Sequence, residues 1–307
     1  MISEEVRAAC AWVAERAGVV QIELGAVEEY ARALPEAEAP GDSDPAAPLG
    51  EADRETRAAF VLCLDAINFG SGWWPTIRKR PGLSGYSTVE TGMVERFLGH
   101  GPWSITELIE LDPADVADVL GQDPAHPLME DFARSLRNVG AHVGVELGGR
   151  FARLVDAADG SALALADRLA SWSSFADASE YEGRRVPFFK RAQLAAADLD
   201  RAGVASFEDR GLLTAFADNL VPHVLRVDGV LRLDPALEGA IEAGELLEHG
   251  SPAEVELRAC TVHAVELLAE ASEGCLSPPE IDALLWDRGR DPRYKALPRP
   301  RCRNTAY

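Results

Sequence analysis

The stretch ETRAAFVLCLDAINF, residues 55–69, decides the fold. Its apolar side chains fall on nearly every side of a helix instead of on one stripe, the pattern of a helix enclosed by a domain rather than lying on its surface. The segments around this central helix repeat the theme. Ile2, Val6, Ala9, Val13 and Ala17 recur at helical spacing over residues 2–17, with Glu4 and Glu5 suited to the dipole at that helix's start. Downstream, Ser104 and Glu107 form a capping box, and Asp112-Pro113 places an N-cap before a proline at the first helical position. Residues 127–146 and 161–172 carry helical periodicity, and PFFKRAQLAAADLDRA (187–202) starts at a proline and stops before Gly203. Further helices are predicted near 235–248, 252–271 and 279–287. LRVDGVLRL (225–233) alternates around Asp228-Gly229 and reads as a small hairpin. The predicted class is all-α, a mainly helical body with at most one hairpin. PEAEAPGDSDPAAPLG (35–50) reads as a surface linker, so residues 1–50 are expected to form an N-terminal helical segment with its linker and 51–307 the main domain.

Composition excludes several function classes. A chain of 307 residues with 47% apolar content can bury a large core, and no apolar run reaches the roughly 18–20 residues of a membrane span. The start lacks signal-peptide order, so a soluble, cytoplasmic protein without a membrane partner is expected. Thirty Lys and Arg against 51 Asp and Glu give a net charge of −21, a field that repels polyanions and argues against a nucleic-acid polymer as partner. The charge is uneven: residues 288–307 hold seven basic side chains against one acid, Asp291. By composition alone that tail is a solvated end or a local anion site. The five scattered cysteines signal neither disulfides nor zinc, and the six histidines include no HExxH, so no metal or organic cofactor is called for. GxxxxGK[ST] and GxSxG are absent, which removes the main sequence support for nucleoside-triphosphate hydrolysis and serine-hydrolase chemistry.

Three clusters are chemically unusual. Asp65, Asn68, Phe69, Trp73 and Trp74 gather at the end of the apolar helix, where a carboxylate and an amide need partners. Rings beside an acceptor and a mixed donor/acceptor are what a planar heterocycle requires, and a helix capped on a tryptophan pair uses the same residues. Phe188, Phe189, Lys190, Arg191 and Gln193 taken alone read as an ordinary helix with a solvated basic turn. In TAFADNLVPH (214–223), Asp218 sits within an apolar run, where a carboxylate demands a partner or a role.

These clusters carry a family resemblance. DAINF (65–69) with WWP (73–75), SGY (84–86), YEGRRVPFFKRAQLAAADL (181–199), LLTAFADNLVPHVLR (212–226), AEVELRACTVHAVELL (253–268), EIDALLWDRGRD (280–291) and KALPRPRCRNTAY (295–307) resemble, in order, the queuosine salvage proteins. That family comprises queuosine 5′-phosphate N-glycosidases, which release the 7-deazaguanine base queuine. The resemblance implies an all-helical fold similar to the helix-hairpin-helix DNA glycosylases, a small-molecule substrate and no cofactor. Carried onto this chain, the family's FAD-x-x-VP aspartate is Asp218 and its KRAQ lysine is Lys190. Asp218 is thereby the essential carboxylate, and Lys190 either binds the 5′-phosphate or fixes Asp218.

Substrate contacts are expected from Asp65, Asn68, Phe69, Trp74, Tyr86, Phe189 and Asn219, with Arg301 and Arg303 brought near the pocket by an ordered tail. Departures from the family pattern are Asn219, Leu220 and His223, at tyrosine, arginine and glutamine positions, which remove an aromatic face and a cation beside the acid. Pro300 stands where histidine is frequent, and Gly70-Ser71-Gly72 replaces a shorter aromatic step. The alternatives are a glycosidase for another modified nucleoside or nucleotide and a non-catalytic helical nucleotide-binding module. Oligomeric state is not encoded in any motif.

Overall fold

The computed structural model describes residues 1–35 and 44–307, so most of the expected linker lies outside the described residues. Among them are fifteen α-helices and four short strands. The N-terminal part contributes α1 (Ile2–Ala14), β1 (Val20–Ile22) and α2 (Leu24–Arg32). Next come α3 (Arg54–Ala66), α4 (Gly85–His100), α5 (Ile105–Glu110), α6 (Pro113–Leu120), α7 (Pro127–Leu147), α8 (Ala152–Asp156) and α9 (Ala162–Ala170). The strands β2 (Ala178–Tyr181) and β3 (Arg184–Pro187) lead into α10 (Lys190–Arg201) and α11 (Val221–Val227). After β4 (Leu231–Leu233) follow α12 (Pro235–Glu242), α13 (Pro252–Ala271), α14 (Pro278–Arg288) and α15 (Pro292–Lys295). No described helix is long and apolar enough to cross a membrane.

The central helix forms as its sequence dictates. Asp53 accepts the Thr56 N–H at 2.8 Å to cap α3, and every residue from Ala58 to Ala66 is buried. Ser104/Glu107 and Asp112/Asp115 close reciprocal capping boxes on α5 and α6. Helix α13 runs between two apolar clusters. Val255, Ala259 and Val262 pack into one with α3, α7, α9 and α10, while Leu257, Cys260, Val265 and Leu268 pack into the other with α2, α11 and α14. The N-terminal segment is tied to the body: α1 lies along α13, Arg7 pairs with Glu266 at 2.8 Å, and Glu256 accepts the Val19 and Val20 N–H groups.

Two sequence readings need correction. The expected hairpin at 225–233 is instead the end of α11, a turn at Gly229 (φ 80°), and β4, which pairs antiparallel with β1 (Val20↔Leu233). Val221, Val224 and Leu225 have helical spacing behind Pro222, and this outweighs a brief alternation. The true hairpin is β2–β3, turned by Glu182 (φ 48°) and Gly183 (φ 75°), the two left-handed residues of a type I′ turn. The second correction concerns residues 187–189, which precede α10 instead of starting it. Phe188 and Phe189 both donate to the Asp177 carbonyl, Phe189 is left-handed at φ 49°, and the Lys190 N–H goes to Asp177 Oδ2 at 3.1 Å. Lys190 and Arg191 are consequently buried, not a solvated basic turn.

Asp177 is held by Arg258 of α13 in a two-pronged ion pair, Nη1–Oδ1 3.0 Å and Nη2–Oδ2 2.6 Å, with both side chains almost fully buried. Arg258 lies over the rings of Phe188 (3.9 Å) and Tyr307 (4.6 Å) and donates to the Ala217 carbonyl at 3.1 Å. Replacing Arg258 by Met leaves Asp177 buried without its counter-charge. The expected loss is about 3–5 kcal/mol in urea unfolding, and the Arg258→Met/Asp177→Asn double variant should lose less than the sum of the singles.

Candidate active site

Thr214–Asp218 crosses the interior without helical or sheet hydrogen bonds, so its backbone must find side-chain partners. It does so in sequence: Gln193 Oε1 accepts the Thr214 N–H (2.9 Å), Asp282 Oδ1 accepts the Phe216 N–H (2.9 Å), and Arg258 binds the Ala217 carbonyl. At its end, half-buried Asp218 uses Oδ1 to accept the N–H groups of Leu220 (2.7 Å) and Val221 (2.9 Å). Among the described residues no hydrogen bond engages Oδ2. One oxygen is therefore locked to backbone while the other remains available for chemistry.

Lys190 reaches across to the end of α3, donating from Nζ to the Asn68 carbonyl (3.1 Å) and to Asn68 Oδ1 (3.2 Å). Because an ammonium only donates, the Asn68 amide must turn its oxygen to Lys190 and its NH2 outward, where it meets Asp65 Oδ1 at 3.5 Å. Asp65 is 1% exposed, and its Oδ2 has no hydrogen-bond partner.

Electrostatically, three carboxyl groups share this lysine. Burial pushes Asp218 up, opposed by Lys190, the two backbone N–H groups and Arg299. Burial also raises Asp65, reinforced by Asp198 and opposed by Lys190. Asp282 is pushed up to about 8 by burial and by Asp218. Lys190 is pulled down by burial, against the attraction of Asp218 and Asp65. The site thus holds an ammonium poised to lose its proton more readily than usual and carboxyls that resist ionising together.

Around this cluster, Trp74 is half-buried against two glycines: a Cβ on Gly85 would lie 2.6 Å from its ring, and one on Gly70 2.8 Å away. Trp73 is buried. Tyr86, at the start of α4, stands edge-on to Trp286 at 6.1 Å, and burial with the nearby charges of Glu90, Asp65 and Asp198 raises its phenol.

Other expected contacts are already engaged. Phe69 is 1% exposed, edge-on to Phe132 and under the Arg191 guanidinium at 4.8 Å, which makes it a core ring instead of a stacking face. Phe189 is buried beneath Arg185, and Asn219 Nδ2 holds the Pro300 carbonyl at 3.1 Å. The tail is ordered, as expected. Gly72 N–H bonds the Cys302 carbonyl, Gly70 N–H the Tyr307 carbonyl, and Arg191 the Thr305 carbonyl.

The two tail arginines expected near the pocket have contacts of their own. Arg301 bonds the Gly244 carbonyl at 3.0 Å, and Arg303 is exposed beside Gly72 and His126. The tail cation that acts on Asp218 is Arg299, anchored to the Gly289 carbonyl at 3.0 Å. Arg299, Asp282, Trp286, Asp198 and Glu90 were missed from sequence. Asp282 carried the signal that had exposed Asp218, a carboxylate within an apolar run, Ile281 to Leu285. A separate surface groove, lined by Tyr30, Asp228, Arg288, Arg293 and Tyr294, contains neither Asp218 nor Lys190.

Comparison with known proteins places the chain in a family. The profile described as "Queuosine salvage protein" matches residues 49–307. The queuosine 5′-phosphate N-glycosylase/hydrolase of Sphaerobacter thermophilus is 38% identical over 267 residues, 83% of this chain and 82% of its own length. The mouse protein of that name is 31% identical (81% and 82% covered), and that of Dictyostelium discoideum 30% (82% and 79%). With the profile spanning most of its length and relatives 30–38% identical over about four fifths of both chains, the chain belongs to the queuosine salvage protein family.

Proposed function

We propose that this chain hydrolyses the N-glycosidic bond of queuosine 5′-phosphate, releasing queuine. The observation that carries the reading is Asp218, one oxygen locked by two backbone N–H groups and the other unengaged, with Lys190 beside it, in a chain 30–38% identical to proteins of that named activity. Cleavage builds positive charge on the ribose, which a carboxylate beneath the anomeric carbon stabilises while orienting water. In the balanced step, water oxygen bonds to the anomeric carbon, the bond from that carbon to the base nitrogen breaks with its electron pair going to the base, and the water's proton ends on the base. The sugar leaves as ribose 5-phosphate.

A 7-deazaguanine has carbon where purines carry the ring nitrogen that assists departure, so help must come at its other edge. Asn68 has an amide N–H to offer the base carbonyl, since its oxygen is fixed by Lys190. Asp65, raised by burial and by Asp198 against the pull of Lys190, places an unpartnered oxygen at the same end of α3, suited to the base's amino edge or to a cationic side chain. Trp74 and Tyr86 would give the base its aromatic walls. Lys190, tied to Asn68 and close to Asp218, fits the role of fixing the acid and the amide better than that of a free phosphate ligand. The substrate is a small molecule rather than a nucleic-acid polymer, and residues 51–307 would hold the whole site.

Asp218→Asn should fold and lose roughly 10²–10³-fold or more in kcat for base release, followed chromatographically with queuosine 5′-phosphate. Release at the wild-type rate would exclude Asp218 as the catalytic carboxylate. Release from guanosine 5′-phosphate alone would support a different nucleotide glycosidase.

The pH dependence follows from the charge states. Asp218 must be ionised, and its pKa is raised, so activity should fall with acid at a higher pH than for an ordinary carboxylate. Lys190 is lowered, which brings the alkaline limb below the usual lysine range. Removing the Arg299 charge (Arg299→Gln) should move the acid limb of kcat/KM further up, whereas Arg301→Gln should leave it in place.

A further inference from the structure

His249, Glu254 and Cys302 converge away from the candidate active site. One ligand atom from each lies within 4.8 Å of the others, and His249 Nδ1 stands 3.7 Å from Glu254 Oε2. They come from three places in the chain: the turn before α13, the first turn of α13, and the C-terminal tail. We propose that these three side chains form a zinc-type metal site that fastens the tail to the body.

Four observations support it. The donors are an imidazole, a carboxylate and a thiol, the set borderline-soft divalent metals favour over magnesium or calcium. Metal–ligand bonds of about 2.0–2.3 Å put tetrahedral ligand atoms about 3.3–3.8 Å apart, so the His249–Glu254 separation already fits, and the wider pairs need to close by about an ångström. Glu254 is fully buried: its Oε2, the oxygen facing His249, accepts only the Gly250 N–H at 3.0 Å, and its Oε1 has no hydrogen-bond partner, with Arg258 Nη1 at 3.9 Å committed to Asp177. A buried carboxylate with one oxygen unpaired and the other singly bonded has lone pairs to give an ion. Finally, the His249 side chain is 42% exposed, which gives an ion an entry path and solvent access to a fourth position. A thiolate and a carboxylate balance a divalent charge, while Arg258 stays balanced by Asp177.

The consequence is structural. The Cys302 carbonyl accepts the Gly72 N–H at 3.1 Å, the Arg301 carbonyl accepts the Leu247 N–H at 2.8 Å, and Arg299, just upstream, carries its charge to Asp218. A metal on Cys302 would hold the tail in that register without entering the reaction. Sequence reading missed the arrangement because the thiol lies some fifty residues from the other two donors, outside any ligand-spacing motif.

The test uses the untagged full chain, stripped with a chelator and titrated with Zn2+ against a competing chromophoric chelator. The proposal expects one equivalent bound, a cobalt–thiolate charge-transfer band when Co2+ replaces Zn2+, and slower proteolysis of the tail with metal. His249→Gln, at an exposed position that should not disturb folding, should weaken Zn2+ at least tenfold. Cys302→Ser should abolish the cobalt–thiolate band, and Cys275→Ser, at an exposed cysteine elsewhere, should change nothing. Absence of stoichiometric uptake by the wild type, or wild-type affinity in His249→Gln, would overturn the proposal and leave the assignment of Asp218 untouched.

Discussion

The Asp177–Arg258 pair sits where everything else in the molecule is hung. A buried ion pair by itself gives little net stability, because desolvating two charges offsets most of their attraction. Here each partner satisfies backbone that no regular structure serves. Asp177 takes the Lys190 N–H with its carboxylate and the Phe188 and Phe189 N–H groups with its carbonyl, which allows the left-handed residue that starts α10. Arg258 takes the Ala217 carbonyl, one residue before Asp218, and stacks on Tyr307 at the end of the tail. A hydrophobic pair of equal volume would fill the space but leave the Lys190 N–H and the Ala217 carbonyl unpaired. The pair therefore sets the separation of lysine and acid, and that geometry is its justification more than stability.

The same constraint explains the grouping of acids. Asp65, Asp218 and Asp282 come from the end of α3, an interior loop and α14; Asp65 and Asp282 are buried, Asp218 half-buried, and an isolated charge at either buried position would be very costly. Gathered around Lys190 they share its charge, with Arg299 adding to it at Asp218, and burial pushes all three up, Asp282 to about 8. Such a group of acids, raised by burial and held near one lysine, favours a partner that brings or develops positive charge. Asp282 also fixes the Phe216 N–H, so it is at once a support for the acid's loop and a charge that tunes it.

What the sequence made legible follows from the range of the forces involved. Caps, prolines and 3.6-residue periodicity are local, and they located α3, α5, α6, α7 and α13 nearly to the residue. Buried carboxylates in apolar runs are equally local signals, and they pointed to Asp65 and Asp218. Pairings over long sequence distance left no such trace. β4 pairs with β1 some two hundred residues away, so the alternation in LRVDGVLRL looked like a hairpin partner that was not there. Lys190 and Arg191 read as solvated because nothing nearby announces that Asn68, Ala66 and Thr305 will meet them. Phe69 had the right type and place for a base-stacking ring, yet Phe132 and Arg191 enclose it.

The charge of the chain takes its meaning from where the tail's cations go. A polyanion track requires basic side chains aligned outward, one per phosphate. Here Arg288 and Arg293 turn to Asp228, at 3.5 and 3.2 Å, Arg290 pairs with Asp287, Arg299 is drawn to Asp218, and Arg301 caps the Gly244 carbonyl. Their positive charge is largely neutralised by acids and carbonyls of the body, which is why a segment with a disordered composition is ordered. The chain as a whole keeps a net charge of −21, a field that repels polyanions. The one tail cation directed at the candidate site meets a carboxylate, so its effect is to hold Asp218 ionised rather than to gather phosphates along a surface. Basic contacts at the site from Lys190 and Arg299 inside a chain of net −21 suit a ligand with one phosphate better than a polyanion, so the acidic balance and the basic tail are parts of one charge pattern.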